Sequence, residues 1–159
     1  MFPPFEIKVA LKIAKTPAEV FEAIVDPAQM FNYFIATSTG RMEAGVTLTW
    51  TFPEFDMAFP VKVIAAETAK RIAYSWEHPD GSNTEVQISL KAVGDSETFV
   101  TITEGTKEAT EASLAWLKSN TEGWANFLCC LKAWLEYSIN LRKGAFDLSQ
   151  MPVIEKSEN

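Results

Sequence analysis

Asn120–Gly144 reads NTEGWANFLCCLKAWLEYSINLRKG. It is the most apolar stretch of the chain, yet polar residues recur along it, a pattern that suits a core helix, a membrane span, a thiol site or one wall of a binding cavity. Trp124, Phe127, Leu128, Leu131, Trp134, Leu135, Ser138 and Ile139 follow the i, i+3, i+4, i+7 spacing over about five turns, with Asn126, Lys132, Glu136 and Asn140 off that face. The spacing predicts an amphipathic helix about 30 Å long. Gly144 is placed to end it, with Arg142 and Lys143 in a last turn where cations suit the helix dipole. A membrane span needs about 18 uninterrupted apolar residues, and Asn126, Lys132 and Glu136 break the run. Neighbouring residues on a helix project about 100° apart, so Cys129 and Cys130 cannot both point at one tetrahedral ion. As free thiols they behave as small hydrophobes, and only Lys132 is near enough in sequence to activate them.

Such a helix must cover something, and the preceding sequence supplies a sheet. Phe5, Ile7, Val9, Leu11 and Ile13 alternate with polar or small residues, the period of a half-buried strand. In KTPAEVFEAIVDPAQMFNYF, Thr16 is placed as a helix N-cap, Pro17 suits the first turn, and Glu19 closes a capping box. Asp26-Pro27 stops that helix and caps a second short one running to about Tyr33. From Phe34 to Glu104 the period is two: a short strand over Ile35–Arg41, then Val46–Phe52, Met57–Val63, Ile72–Trp76, Val86–Leu90 and Val100–Ile102. Pro60 implies an edge position or a bulge in its strand, and His78-Pro79-Asp80-Gly81 supplies a turn. Connections this short make sequential antiparallel hairpins, giving a strand, two helices and a meander of about six strands. Thr106–Lys118 reads as a further short helix before the long one.

At 159 residues, 47% hydrophobic and 22% charged, the chain is the size of one globular domain, predicted over residues 1–145 with an irregular tail from 146 to 159. A net charge of −7, with 14 basic residues spread against 21 acidic ones, lacks the cationic cluster that binds phosphates, so no nucleic-acid partner is expected. MFPPFEIKVALKIA has no basic segment leading into an apolar run and does not read as a signal peptide, and two adjacent cysteines cannot staple a secreted fold. A cytoplasmic location follows as the expectation.

KTPAEVFEAIVDPAQMFNYF, GRMEAGV, RIAYSW, ETFVTITEGT and EGWANFLCCLKAWLE, in this order, resemble the START-like, or helix-grip, superfamily. Within it they are similar to the C-terminal domain of the activator of Hsp90 ATPase. Tyr33 and Ala44-Gly45 stand where the family often has Trp and a double Gly. The resemblance implies an α+β fold: a seven-stranded antiparallel curved sheet wrapped around a long C-terminal helix, with two short helices between the first two strands. It also implies an elongated cavity that takes a lipid-like or polyketide-like molecule. Members include binders, cyclases, hydrolases and co-chaperones, so fold alone does not set the function. A chaperone partner and a homodimer stay open as expectations. In the eukaryotic co-chaperone a separate N-terminal domain makes a major contact, and these residues carry no counterpart.

The large side chains of sheet and helix either interdigitate completely or leave a space. If they leave one, its predicted lining is Phe31, Tyr33, Trp50, Phe52, Phe55, Met57, Trp76, Trp124, Phe127, Leu131 and Trp134. Glu104 is the polar candidate: alternation from Val100 and Ile102 turns it inward at the end of its strand, where it could anchor a ligand or act as acid or base in a cyclase or hydrolase. Asp56 and Arg41 are further rim candidates, and His78, the sole histidine, reads as an exposed turn residue. No metal site or cofactor is expected, and no phosphate loop, nucleophile elbow or catalytic triad is recognisable.

Overall fold

The computed structural model describes residues 2–78, 80–147 and 149. Strand β1 (Phe5–Ile13) leads into helix α1 (Pro17–Val25) and the single turn α2 (Pro27–Met30). The capping box forms as the sequence predicts: Glu19 N donates to Thr16 Oγ1 and Thr16 N donates to the Glu19 carboxylate. Asp26 Oδ1 accepts from Ala28 N and caps α2. Val20, Phe21, Ile24 and Val25 form the buried face of α1.

Strands β2 (Thr37–Ser38), β3 (Thr47–Thr51), β4 (Ala58–Glu67), β5 (Arg71–Glu77), β6 (Asn83–Val93) and β7 (Glu97–Lys107) follow. The order across the sheet is β1-β7-β6-β5-β4-β3-β2, antiparallel throughout. The curved seven-stranded sheet, the short helices between β1 and β2 and the long C-terminal helix are the predicted α+β architecture. Chain connectivity makes β2 to β7 a meander, and β1 returns to pair with the last strand. Residue parity sets the buried face: Leu48 and Trp50, Val61 and Val63, Ile72 and Tyr74, Val86 and Ile88, and Val100 and Ile102 all point inward.

Local boundaries differ from the sequence reading. The strand expected over Ile35–Arg41 is a two-residue pair, because Ile35 is drawn into the core beneath α2. Strand β4 is internal to the sheet, yet Pro60 pairs only with Thr49 of β3, since pairing with β5 begins at Val61. Its missing N–H therefore faces no partner strand. Met57 precedes β4 and is exposed.

The helices expected at Thr106–Lys118 and Asn120–Gly144 are one helix, α3 (Glu111–Tyr137). Strand β7 runs on to Lys107, and Thr110 then caps the helix through Ser113 N. Its 27 residues span about 40 Å across the sheet. The helix ends at Tyr137, well before Gly144, and Ser138 follows in the left-handed conformation (φ 55°), where the amides of Ser138 and Ile139 bond back to Trp134 and Ala133. Ile139 and Leu141 are consequently exposed, and Arg142 leaves the helix register altogether. The predicted tail from 146, and Pro79 of the predicted turn, lie largely or wholly outside the described residues.

Candidate functional site

The space between sheet and helix is an aromatic cluster. Phe34, in the irregular segment after α2, is its centre: its ring lies 5.7 Å from Trp50, 5.2 Å from Phe52, 6.1 Å from Trp124 and 4.7 Å from Phe127 between centroids. Tyr33 meets Phe127 at 5.6 Å, and its hydroxyl donates to Ala23 O of α1 at 2.7 Å. Along the sheet, Trp50 meets Tyr74 at 5.4 Å, Tyr74 meets Trp76 at 5.6 Å, and Trp76 meets Trp124 of α3 at 5.7 Å. Most of these pairs are edge to face, an arrangement that adds about 0.5–1.5 kcal/mol per pair beyond the area buried. Leu131 is buried with them.

Glu104 sits behind this cluster and is fully buried, 0% exposed. Trp76 Nε1 and Thr84 Oγ1 donate to its Oε2 at 2.8 and 2.5 Å, and Trp124 Nε1 and Asn120 Nδ2 donate to its Oε1 at 2.9 and 3.1 Å. Two carboxylate oxygens offer about four acceptor positions, so this set uses the group fully. One side chain thereby ties β5, β6 and α3 to β7 and fixes the rotation of both indoles. It is a buried hub, inside β7, which runs on to Lys107.

His78, expected as an exposed turn residue, is turned inward beside that hub. Its Nε2 lies 2.5 Å from Thr84 Oγ1 and 3.6 Å from Glu104 Oε2. The Thr84 hydroxyl gives its proton to Glu104, so its oxygen accepts from His78, which places the ring proton on Nε2 and leaves Nδ1 free. Burial, then the nearby Lys107 cation, lower the His78 pKa below its ordinary 6.5, against the opposing pull of Glu104 and Asp80. Lys107 Nζ stands 5.1 Å above the Trp116 ring and donates to Ser82 Oγ at 3.2 Å.

At the other end of the cluster, the segment after α3 folds back over it. Arg142 Nε and Nη2 donate to the two oxygens of Glu54 at 3.0 and 2.9 Å, a two-pronged pair that shields both side chains from solvent. The guanidinium lies over Phe34 at 5.7 Å, Phe52 at 5.8 Å and Phe146 at 4.7 Å. Beside this clamp a cleft of about 410 Å³ opens on the surface, lined by Thr51, Phe52, Phe55, Asp56, Met57 and Ala58. Phe55 and Met57 are 46% and 55% exposed there, while Phe52 passes inward to Phe34. A second cleft of about 400 Å³ lies between α1 and α3, lined by Lys15, Ala18, Glu19, Glu22, Gln29 and Leu135.

Residues 14–136 match the sequence profile of the family described as Activator of Hsp90 ATPase homolog 1-like protein. The chain belongs to that family. Its fold is shared with the SSP2350 protein of Staphylococcus saprophyticus (26% identity, TM-score 0.74), with 87% of this AHSA1-like chain and 96% of that one aligned. DynU16, a protein of the dynemicin biosynthetic locus, aligns at 22% identity and TM-score 0.75 over 87% of this chain and 49% of its own. The Aha1 dimer of Colwellia psychrerythraea aligns at 21% identity and TM-score 0.71, covering 84% and 97%. The likenesses to DynU16 and to the Aha1 dimer, below 25% identity, establish the fold alone. No curated protein matches the chain. Among the described residues, no helix is long and apolar enough to cross a membrane.

The AHSA1-like architecture brings Tyr33, Trp50, Phe52, Trp76, Trp124, Phe127 and Leu131 into one buried or half-buried group with Glu104. Phe55 and Met57 stand at its mouth, in the cleft. Phe31 is 44% exposed, and Trp134 sits on the flank of α3, where its Nε1 donates to Gln29 Oε1 at 2.9 Å. Arg41 pairs with Glu22 on the surface at 2.7 Å, and Asp56 lines the cleft. Cys130 is buried with its thiol pKa pushed up by burial, and Cys129 is exposed. The sequence reading missed Phe34, Thr84, Asn120, Glu54 and the clamping role of Arg142. Thr84 and Asn120 carried a signal, since each is a polar residue at a position that parity or helical phase turns inward.

Proposed function

We propose that this domain binds an uncharged, largely apolar small molecule, admitted through the Phe52–Phe55–Met57 cleft into the aromatic cluster between sheet and α3. The observation that supports the reading most is the cleft itself. Its side chains leave apolar surface in water directly over a run of rings leading inward. Phe52 links Phe55 at the surface to Phe34 in the interior, so a guest that displaces or spreads these rings exchanges one aromatic contact for another. Glu104 serves the site indirectly, holding the Trp76 and Trp124 indoles in one orientation. The alternative roles, chaperone partner and acid–base catalyst, find less support. The first rests on family membership and likeness of fold, and the second needs a carboxyl free to meet a substrate, whereas the acceptor positions of Glu104 are engaged by four donors.

Fluorene and other neutral aromatic hydrocarbons, tested by thermal shift and by tryptophan fluorescence, are expected to raise the melting temperature. A ligand at about 100 times its dissociation constant adds about 2.7 kcal/mol of stability. Phe55→Asp and Met57→Asp, at exposed positions, are expected to weaken binding while leaving the free protein folded. If no aromatic or lipid-like compound shifts the melting temperature, the reading fails.

A further inference from the structure

Two irregular segments meet over one end of the aromatic interior: residues 138–147, which follow α3, and residues 52–57, which join β3 to β4. Neither is bonded into the sheet. Phe55 N donates to Phe52 O within the loop, and Lys143 N to Asn140 Oδ1 and Ala145 N to Arg142 O within the segment after the helix. Among the described residues, the polar contact that ties residues 140–147 to the rest of the chain is the Arg142–Glu54 pair, and it ties them to that loop. The two side chains are 13% and 11% exposed, so their attraction acts largely out of water. Around the pair the segment is wet: Ile139, Leu141, Lys143 and Ala145 are exposed. Beneath the guanidinium are the buried rings of Phe34 and Phe52. Cys130 of α3 is buried at the same end, and its thiol feels the charges of both Arg142 and Glu54.

We propose that these two segments form one cover, fastened by the Arg142–Glu54 pair, which opens locally and uncovers the Phe34–Phe52 end of the interior while the sheet and α3 stay folded. Segments with few buried contacts and no ladder bonds open at a fraction of the cost of global unfolding. Both have fixed bases from which to swing. The loop closes on the pairing of Thr51 with Ala58, and the segment after α3 starts at Ser138, whose amide stays bonded to the helix. Opening therefore breaks no strand pairing and no helix bond; it breaks two N–H···O bonds and lifts one guanidinium off its rings. Arg142 and Glu54 leave together into water, so no unpaired charge remains inside. Breaking the Glu104 hub is the opposite case, because that carboxylate would stay buried. The cover controls access to the interior whatever enters it, so it stands independently of the ligand reading.

Cys130 reports the opening. In a Cys129→Ser parent, which lacks the exposed thiol, alkylation of Cys130 by the neutral reagent iodoacetamide is followed by mass spectrometry at increasing urea. A buried thiol must reach water to ionise and react, so the rate reads the population of the open form. At low urea the rate is expected to change little, and to climb steeply only near the global transition. Adding Arg142→Gln is expected to speed labelling at zero urea about tenfold or more, since bonds to charged groups are lost. Adding Glu104→Gln, at the other end of the cluster, is expected to leave that rate unchanged. Should Arg142→Gln fail to fold, Glu54→Gln makes the same comparison. Labelling that follows global unfolding at every urea concentration, or is undetectable until the chain unfolds, overturns the proposal. So do labelling of the native parent at the rate of a free cysteine, equal rates with and without the ion pair, and an acceleration by Glu104→Gln as large as that by Arg142→Gln.

Discussion

Glu104 shows what a residue's neighbours in sequence can and cannot tell. Alternation from Val100 and Ile102 turned it inward, and it is inward; the chemistry of its surroundings was illegible because its donors come from Trp76, Thr84, Asn120 and Trp124, 16 to 28 positions away. Their convergence depends on the register that sets Trp76 opposite Thr84 and Val86 opposite Glu104. His78 was misread for the same reason: Pro-Asp-Gly beside it signals a turn, and only the pairing across β5 and β6 shows the ring folding back onto Thr84. Phe34 lies in irregular backbone with no period to betray it. The Glu104→Gln substitution is nearly isosteric but turns one acceptor oxygen into an N–H₂ group facing donors. It is expected to lower stability by about 2–4 kcal/mol in urea unfolding, as hydrogen bonds to a buried charge are lost and donors are left unpaired. A loss below about 0.5 kcal/mol would show that the hub contributes little to holding α3 on the sheet.

At the scale of elements, helix α3 was legible in character and not in extent. Its apolar phase was right, but the sequence read as two helices, Thr106–Lys118 and Asn120–Gly144, whereas Asn120 serves Glu104 from within one continuous helix. The far end was misjudged because Gly144 is a common stop, while the chain stops earlier at Ser138, and the ion pair with Glu54 holds Arg142 over the rings of Phe34 and Phe52. That clamp lays the post-helix segment over Phe52, one of the residues that line the cleft. Arg142→Ala is expected to cost about 2 kcal/mol, since it leaves Glu54 half-buried without its partner and removes the cation from the aromatic faces. A double-mutant cycle with Glu54→Ala should return a coupling of about 1 kcal/mol or more. The same variant is expected to admit neutral aromatic ligands faster in stopped-flow fluorescence. Additive effects of the two substitutions would show that the pair does not act as a clamp.

For the molecule as a whole, strand count, hairpin order and the closing helix were all written in the hydrophobic period, since one buried face per strand leaves few ways to stack them. What the period does not carry is whether the aromatic rings fill the middle, because that depends on side-chain rotation. Electrostatics do act at this scale, and here the sole histidine gives a clean experiment. Above about pH 6.5, both native and unfolded chains hold His78 neutral, so it adds nothing to the pH dependence. As pH falls through 6.5 the unfolded chain takes up a proton that the native ring resists, because burial and Lys107 disfavour its charge; stability falls until the native ring protonates in turn. The groups that face the ring from the packed elements are Glu104 and Lys107 of β7, Asp80 of the turn and Trp116 of α3, and the two cited carboxylates only partly offset the burial. Glu19, held low by the Thr16 amide, and Glu22, held low by Arg41, pull in the same direction but below their ordinary value of 4.5. Between pH 7.5 and 5.5 the wild-type melting temperature is therefore expected to fall, and His78→Asn to fall distinctly less over the same interval. Parallel curves for the two proteins would mean that the His78–Thr84–Glu104 chain does not carry the acid sensitivity of the fold.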